Sequence, residues 1–424
     1  MMMRSDYAPF ERAIDADYIR HELVRAPGFI GEDQELVRIN VSRVFPSKFG
    51  GLCVQYLLLV RQQDKTYRRV PLCGLLRTHG AAMPNWARRE ERVLCIADAS
   101  LAIPLFPWDP KLSVLEDILG EQATVDPTRD VSDWVANGGA TREVLSYRLA
   151  RRCVLRYTAA VSDGDVDKII VKIARRRRIA ATINALEHLR HGGFALGAAD
   201  ALTVPGTLAV DPGHRFLVME HVPGQAIHDL VGLAEFEDAC AGAANTLAKL
   251  QRSVSTTGLP PYTVRDEISG LQQWAQLVGD PYPHLRRTIE DHIDELEIRM
   301  PSDRQVVCLH RDFYDKQVIY SPRRISLIDC DGLAAGDPAL DYGNFLAHLV
   351  LRTLQHAEHG ERIIKGMGAF RGTFPMPPAR VAWWTSAALV RLAAIYSMRP
   401  RWRSLTPVLL EHAKVTRESK EVRV

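Results

Sequence analysis

The chain has 424 residues, 46% of them hydrophobic and 25% charged, with a net charge of +3. These are the proportions of an ordinary globular protein, long enough for two or three folding units. So small a charge excess, without a nucleic-acid-binding motif beside it, points to no nucleic acid as a partner, and no apolar run reaches the length of a membrane span. The seven cysteines are odd in number, scattered from Cys53 to Cys330 and never spaced C-x-x-C. That argues against a disulfide framework or a zinc site and for a reducing compartment. The N-terminal stretch "MMMRSDYAPFERAID" has no apolar signal core, so the expectation is a soluble, cytoplasmic protein.

The first clear element is a strand pair in "LCVQYLLLVRQQDKTYRRVPLCGLL", split by a polar turn around Gln62 to Lys65. An acidic, Pro-containing stretch, "PLFPWDPKLSVLEDILGEQATVDPTRD", reads as a linker with a short helix and puts a boundary near residue 125. Two further strands flank a turn at Asp163-Gly164. The openings "CVQYLLLV" at Cys53 and "CVLRYTAAV" at Cys153 echo one another, which leaves open either a duplicated half or two unrelated hairpins. A helix is predicted from Arg176 to His191, with Ile179, Ile183, Leu186 and Leu189 on one face and Gly192-Gly193 to stop it. The strand "RFLVMEHV" ends at Pro223-Gly224, and beyond it the pattern is mostly helical.

One island breaks that helical half. "LHRDFYDKQVIYSPRRISLIDCDG", Leu309 to Gly332, sits between apolar runs at Val306 to Leu309 and Ile325 to Ile328, and reads as two strands joined by a polar loop. Asp312 is followed five residues later by Gln317, and seventeen residues after Asp312 comes Asp329, just past an apolar strand. Phosphoryl transfer needs a carboxylate beside the acceptor hydroxyl and oxygen ligands for Mg2+ at the nucleotide phosphates, and kinases carry them at this spacing. Lys172 lies among apolar neighbours in "IIVKIA", an expensive place for a charge without a partner. Glu187 is the only carboxylate between Lys172 and Asp200 and is its expected partner, with Lys168 as the competing lysine.

Through "LHRDFYDKQVI" and "LIDCDGLAAGDPALDYGNFLAHL" the chain resembles the aminoglycoside phosphotransferase, or choline kinase-like, family, over about residues 140 to 424. The resemblance implies an α+β, bilobal protein-kinase-like fold with a β-rich N-lobe, a helical C-lobe and an extra N-terminal α+β domain. The expected units are a cap-like domain over 1–125, a nucleotide-binding N-lobe over 126–222 and a C-lobe over 223–424. The implied function is transfer of the γ-phosphoryl group of ATP, or GTP, with Mg2+, to a hydroxyl of a small molecule. Asp312 would be the base and His310 would brace its loop. Gln317 and Asp329 would hold Mg2+, and Asp331 would be a second metal or substrate ligand. Asp341 would tie the loop to the next helix. Lys172, Glu187, Glu220 and Val222 form the expected nucleotide-binding set.

Gln317 stands where most of the superfamily has Asn, and "YRLARRC" has no glycine-rich phosphate cover; Arg151 and Arg152 either reach the phosphates or form solvated surface. The run "RRRR" at Arg175 to Arg178 reads as a solvated face. Asp337, before Pro338, reads as a helix cap. Only seven residues separate Asp329 from Asp337, too few for a protein kinase's activation segment, so the acceptor is expected to be small. Leu346 to Val424 holds thirteen Lys or Arg against five Glu and no Asp, which disfavours a polycation and favours a neutral or anionic acceptor. The Gln variant and the N-terminal extension also resemble the maltokinase and glucosamine kinase branch, making a sugar or amino sugar the first candidate beside aminoglycosides and amino alcohols. Trp383-Trp384 offers either a stacking face or core, and a helix apolar nearly all round favours core. A nucleotide-binding pseudokinase acting through a protein partner stays open as the second class, and nothing fixes the oligomeric state.

Overall fold

The computed structural model describes residues 8–422, apart from residues 32, 78–81, 90, 121, 130, 132–139, 161–165, 214 and 303–304. The chain begins with α1 (Ala8–Ile14) and α2 (Ala16–Arg25). Asp15 caps α2 by accepting from the N–H groups of Asp17 and Tyr18. Five antiparallel strands follow: β1 (Glu35–Pro46), β2 (Leu52–Arg61), β3 (Tyr67–Leu76), β4 (Val93–Ile96) and β5 (Leu101–Pro104), in the order β1-β2-β3-β5-β4. The β2–β3 hairpin is the predicted pair. Strand β1 escaped the sequence reading because register breaks at Leu36/Arg38 and Val41/Arg43 interrupt its alternation.

The stretch expected to be a linker does contain a short helix, α3 (Val114–Leu119), but it is no linker. Leu112, Val114, Leu115 and Ile118 are buried in one cluster with Phe45, Cys53, Tyr147 and Cys153. That cluster joins the first sheet to a second, made of β6 (Thr141–Arg148), β7 (Arg152–Ala160) and β8 (Val166–Ala174). The Asp163-Gly164 turn lies outside the described residues. Next come α4 (Arg176–His191), with the bounds its periodicity predicted, then β9 (Leu202–Thr203), β10 (Thr207–Val210) and β11 (Phe216–Glu220). The second sheet runs β10-β11-β8-β7-β6.

Gly224 adopts φ +118 and passes so near Tyr320 that a Cβ would stand 2.3 Å from its carbonyl oxygen. Only glycine fits this crossing between the lobes, and β12 (Gln225–Ala226) follows it. The C-lobe holds α5 (Phe236–Ser253), β13 (Pro261–Tyr262), α6 (Val264–Gly279) and α7 (Pro283–Ile298). The polar island contributes β14 (Val307–Leu309), β15 (Val318–Ser321), β16 (Arg324–Leu327) and β17 (Ala334–Gly336). The helices α8 (Ala339–Gln355), α9 (Gly360–Thr373), α10 (Pro378–Ser397) and α11 (Thr406–Ser419) close the chain.

The island's two expected strands exist but do not pair with each other. Strand β14 pairs with β17, whereas β16 pairs with β15 and, in parallel, with β9. Runs of three or four residues are too short for their periodicity to declare partners. Trp383 and Trp384 are core residues, buried in α10. At Gly343 the helices α8 and α10 come so close that a Cβ would meet the Thr385 nitrogen at 2.7 Å. None of the helices is long and apolar enough to cross a membrane, among the described residues.

Candidate active site

Strand β14 delivers the chain into a loop held from behind by Asp341, in the first turn of α8. The Asp341 carboxylate accepts from the backbone N–H of His310 at 2.7 Å and of Arg311 at 2.9 Å. Burial pushes its carboxyl up to about 6, while His310 and the two N–H groups pull it down. The His310 ring is fully buried, and its Nε2 lies 3.0 Å from the Ile328 carbonyl at the end of β16. Arg311 then turns with φ 67, a conformation that non-glycine residues adopt at a cost of about 1–3 kcal/mol.

This turn presents Asp312, whose side chain is exposed on one side and crowded by protein on the others. That crowding pushes its carboxyl up; His310 lowers it and Asp329 raises it further. Gln317 Nε2 lies 3.4 Å from Asp312 Oδ2, and the Gln317 carbonyl accepts from Ile328 N–H at 2.9 Å, so the loop's end is tied to the strand that leads to Asp329. Asp329 leaves that strand with φ 57. Its Oδ1 accepts from Arg152 at 2.6 Å and lies 3.6 Å from Lys172 Nζ. Burial would raise the Asp329 carboxyl, but Arg152 and then Lys172 hold it well below the usual carboxylate range. Asp331 takes Lys172 at 3.1 Å and Arg178 at 3.4 Å.

The structure therefore brings Asp312, Gln317 and Asp329 together, with Asp331 and Lys172 beside them. It does not bring Glu187 to Lys172. Glu187 is exposed on α4, and the lysine instead satisfies its charge on the two aspartates across the cleft. Arg152, one of two arginines weighed as solvated surface, is mostly buried in its pair with Asp329. Arg175 to Arg177 are exposed as expected, whereas Arg178 turns inward to Asp331. Asp337 accepts from the Ala339 N–H at 2.9 Å, which fits its reading as a cap, and also pairs with Arg380 at 2.7 Å.

Between the lobes lies a cleft of about 410 Å³. Its apolar wall includes Val154, Ile170, Leu186, Met219 and Ile319, and its other lining residues include Lys172, Glu220, Val222, Gln317 and Asp329. The Glu220 carboxylate is already used: it accepts from Gly206 N–H at 3.1 Å and pairs with Arg324 at 2.8 Å. It holds the crossing between the lobes in place.

A model of the phosphotransferase enzyme family matches residues 154–372, half of the chain. The chain belongs to that family. It is a small-molecule kinase. No curated protein matches it. Among solved structures, an apo thermostable mutant of aminoglycoside phosphotransferase APH(4)-Ia is 16% identical, over 66% of this chain and 96% of that one, with a TM-score of 0.47. A choline kinase from Cryptosporidium parvum is 11% identical, over 68% and 93%, with a TM-score of 0.49. Amicoumacin kinase hAmiN, in complex with AMP-PNP, Ca2+ and Ami, is 13% identical, over 71% and 94%, with a TM-score of 0.46.

Three supports of the phosphotransferase's site escaped sequence reasoning. Asp315, fully buried within the loop that carries Asp312, takes Arg352 of α8 at 2.6 and 3.0 Å, with His228 at 3.3 Å. Arg352 inside the apolar helix "NFLAHLVLRTL" was the available signal, since a cation there needs a partner. Asp109, buried after the first sheet, accepts from Ala150 N–H at 2.8 Å and Tyr147 OH at 2.9 Å, and so holds the glycine-free β6–β7 turn. Arg43, from β1, lines the cleft. No local pattern marks either of these last two.

Proposed function

We propose that this phosphotransferase moves the γ-phosphoryl group of ATP to a hydroxyl of a small molecule drawn from sugars, amino sugars, aminoglycosides or amino alcohols. The single observation that carries the reading is Asp312: an exposed carboxylate on a loop fixed by Asp341, and linked through Gln317, which lines the cleft, to the strand that leads to Asp329. Asp312 accepts the acceptor's hydroxyl proton as that oxygen bonds to the γ-phosphorus and the bond to the ADP oxygen breaks.

Asp329, Gln317 and Asp331 are hard oxygen donors side by side, a set suited to Mg2+, which is commonly held by one or two carboxylates and completed by phosphate and water. Among the described residues no three His, Cys, Asp or Glu side chains form a metal cage, which agrees with a site that the nucleotide completes. Bound there, Mg2+ would neutralise charge on the phosphates. Arg152 and Lys172, now paired with Asp329 and Asp331, are the N-lobe cations for the triphosphate. Glu220 and Val222 line the cleft, and the base would sit against them. Residues 1–125 act as a cap, 126–222 as the nucleotide lobe and 223–424 as the catalytic lobe.

Asp312→Asn tests this directly. The turnover rate should fall by about 10²–10⁴-fold, the range that a positioned base contributes, while calorimetric ATP binding is retained. Equal turnover in the variant would remove Asp312 from the chemistry.

A further inference from the structure

The cleft holds more positive charge than its carboxylates neutralise. Arg152 and Lys172 are paired with Asp329 and Asp331. Arg43, Arg148 and Lys316 line the same cleft, and among the described residues none of them forms an ion pair with a carboxylate. Arg148 lies over the Phe45 ring at 5.7 Å with its Nε buried and unpartnered. Arg399, just beyond α10, lies over Tyr396 at 4.3 Å, and its Nε is likewise buried without a partner.

Arg43, Arg148 and Lys316 come from separate parts of the chain and line one cleft. Arg43 belongs to β1 of the N-terminal sheet and is half-buried. Lys316 sits in the loop itself, between Asp315 and Gln317. The positive field of Arg43 is felt at Lys316, at Arg148, at Arg399 and at Tyr314, two residues from Asp312. Burial first, and then Arg152, Arg43 and Arg151, push the Arg148 guanidinium down to about 10. The acids nearby are Asp315, engaged by Arg352, together with Asp229, Asp312 and Asp329.

A cleft lined by one sign of charge concentrates ligands of the other sign. Guanidinium groups in addition match the paired oxygens of carboxylate and phosphate. The nucleotide's phosphates account for Arg148, Arg152 and Lys172 on the N-lobe side. They leave Arg43 and Lys316, which line the cleft with Tyr314, without a ligand.

We propose that the acceptor carries an anionic group, phosphate or carboxylate, beside its reacting hydroxyl, and that Arg43 of the N-terminal sheet, with Lys316, binds that group. The proposal rests on the phosphoryl-transfer reading above and narrows its acceptor list, setting aside aminoglycosides and amino alcohols. The anionic group is a handle and is unchanged in the reaction. The hydroxyl proton passes to Asp312, the oxygen joins the γ-phosphorus, and ADP leaves. The N-terminal domain then supplies a substrate-binding residue as well as packing.

The test is calorimetric binding of glucose, glucosamine, glucuronate and glucose 6-phosphate to the full-length protein saturated with Mg2+ and AMP-PNP, in wild type, R43Q and R43K. The carboxylate and phosphate arms show which anion the site takes. At least one anionic probe should bind tenfold or more tighter than glucose and glucosamine. R43Q should erase about tenfold of that preference, and R43K should keep most of it. Equal or tighter binding of glucose or glucosamine, no binding of either anionic probe, or a preference untouched by R43Q would overturn the proposal. Failure of the phosphoryl-transfer reading shows separately, as ADP release that does not depend on Asp312 whatever the order of binding.

Discussion

Asp315 and Arg352 pin the loop that carries Asp312 to α8. Both are buried to within 2% of complete exclusion from solvent and meet through two hydrogen bonds. Burial would raise the Asp315 carboxyl, but Arg352, followed by His228, holds it well below the usual carboxylate range. The sign of the linkage follows. A carboxyl depressed in the folded state contributes stability that is fully present above its unfolded value, about 3.9, and is lost as pH falls through the lower folded value. Asp315→Asn leaves the Arg352 guanidinium buried and unpaired, which should cost about 3–5 kcal/mol at pH 7. Urea unfolding of both proteins should show that gap constant from pH 7 to about 4 and shrinking below it; a gap independent of pH would mean that Asp315 is not ionised in the fold. At this scale the sequence was readable where spacing is local. Asp312 and Gln317 come together because four residues of loop separate them, and the bond from Ile328 N–H to the Gln317 carbonyl brings Asp329 to the same place. The partner of Lys172 was not readable. Glu187 is near it along the chain, but Asp329 and Asp331, over 150 residues away, are near it in space.

At the scale of elements, the β6–β7 turn shows how a loop beside the cleft is held without glycines. Ala150 adopts φ 57, and its N–H is satisfied by Asp109, whose other oxygen accepts from Lys111 and Leu112 N–H at 2.8 and 2.9 Å. Burial raises the Asp109 carboxyl, and these donors, with Tyr147, pull it back. Asp109→Ala strands several buried donors at about 1–3 kcal/mol for each one left unsatisfied. Denaturant unfolding should show a loss of that order or more. The Michaelis constant for ATP should rise more than that for the acceptor, because the turn carries Arg151 and Arg152. An unchanged ATP constant would detach the turn from nucleotide binding. Helix α4 was legible because its apolar face repeats over four turns and two glycines end it. The strands of the polar island were legible as strands, but their pairing was not, since each has only three or four residues.

At the scale of the molecule, the N-terminal region bridges both lobes. Its sheet shares a core with the second sheet through Cys53, Cys73, Tyr147 and Cys153. Its first helix meets the C-lobe through Phe10 against Tyr282 at 5.7 Å and Glu11 with Arg403 at 3.3 Å. A chain lacking residues 1–125 exposes that shared core and should be recovered as aggregate by size-exclusion chromatography. A monodisperse, ATP-binding product would show instead that the lobes fold alone. The two-lobed plan was legible because composition changes at Pro223-Gly224, from strand-rich to helical. The reach of residues 1–125 into the cleft was not, since a motif covering residues 154–372 says nothing about what packs on it. The measurement that bears most directly on the central claim is Mg2+-dependent ADP release by the purified protein over a panel of neutral, anionic and cationic hydroxyl acceptors, beside an Asp329→Ala control. The account predicts acceptor-dependent release that the control abolishes, whereas release equal in both proteins would contradict it.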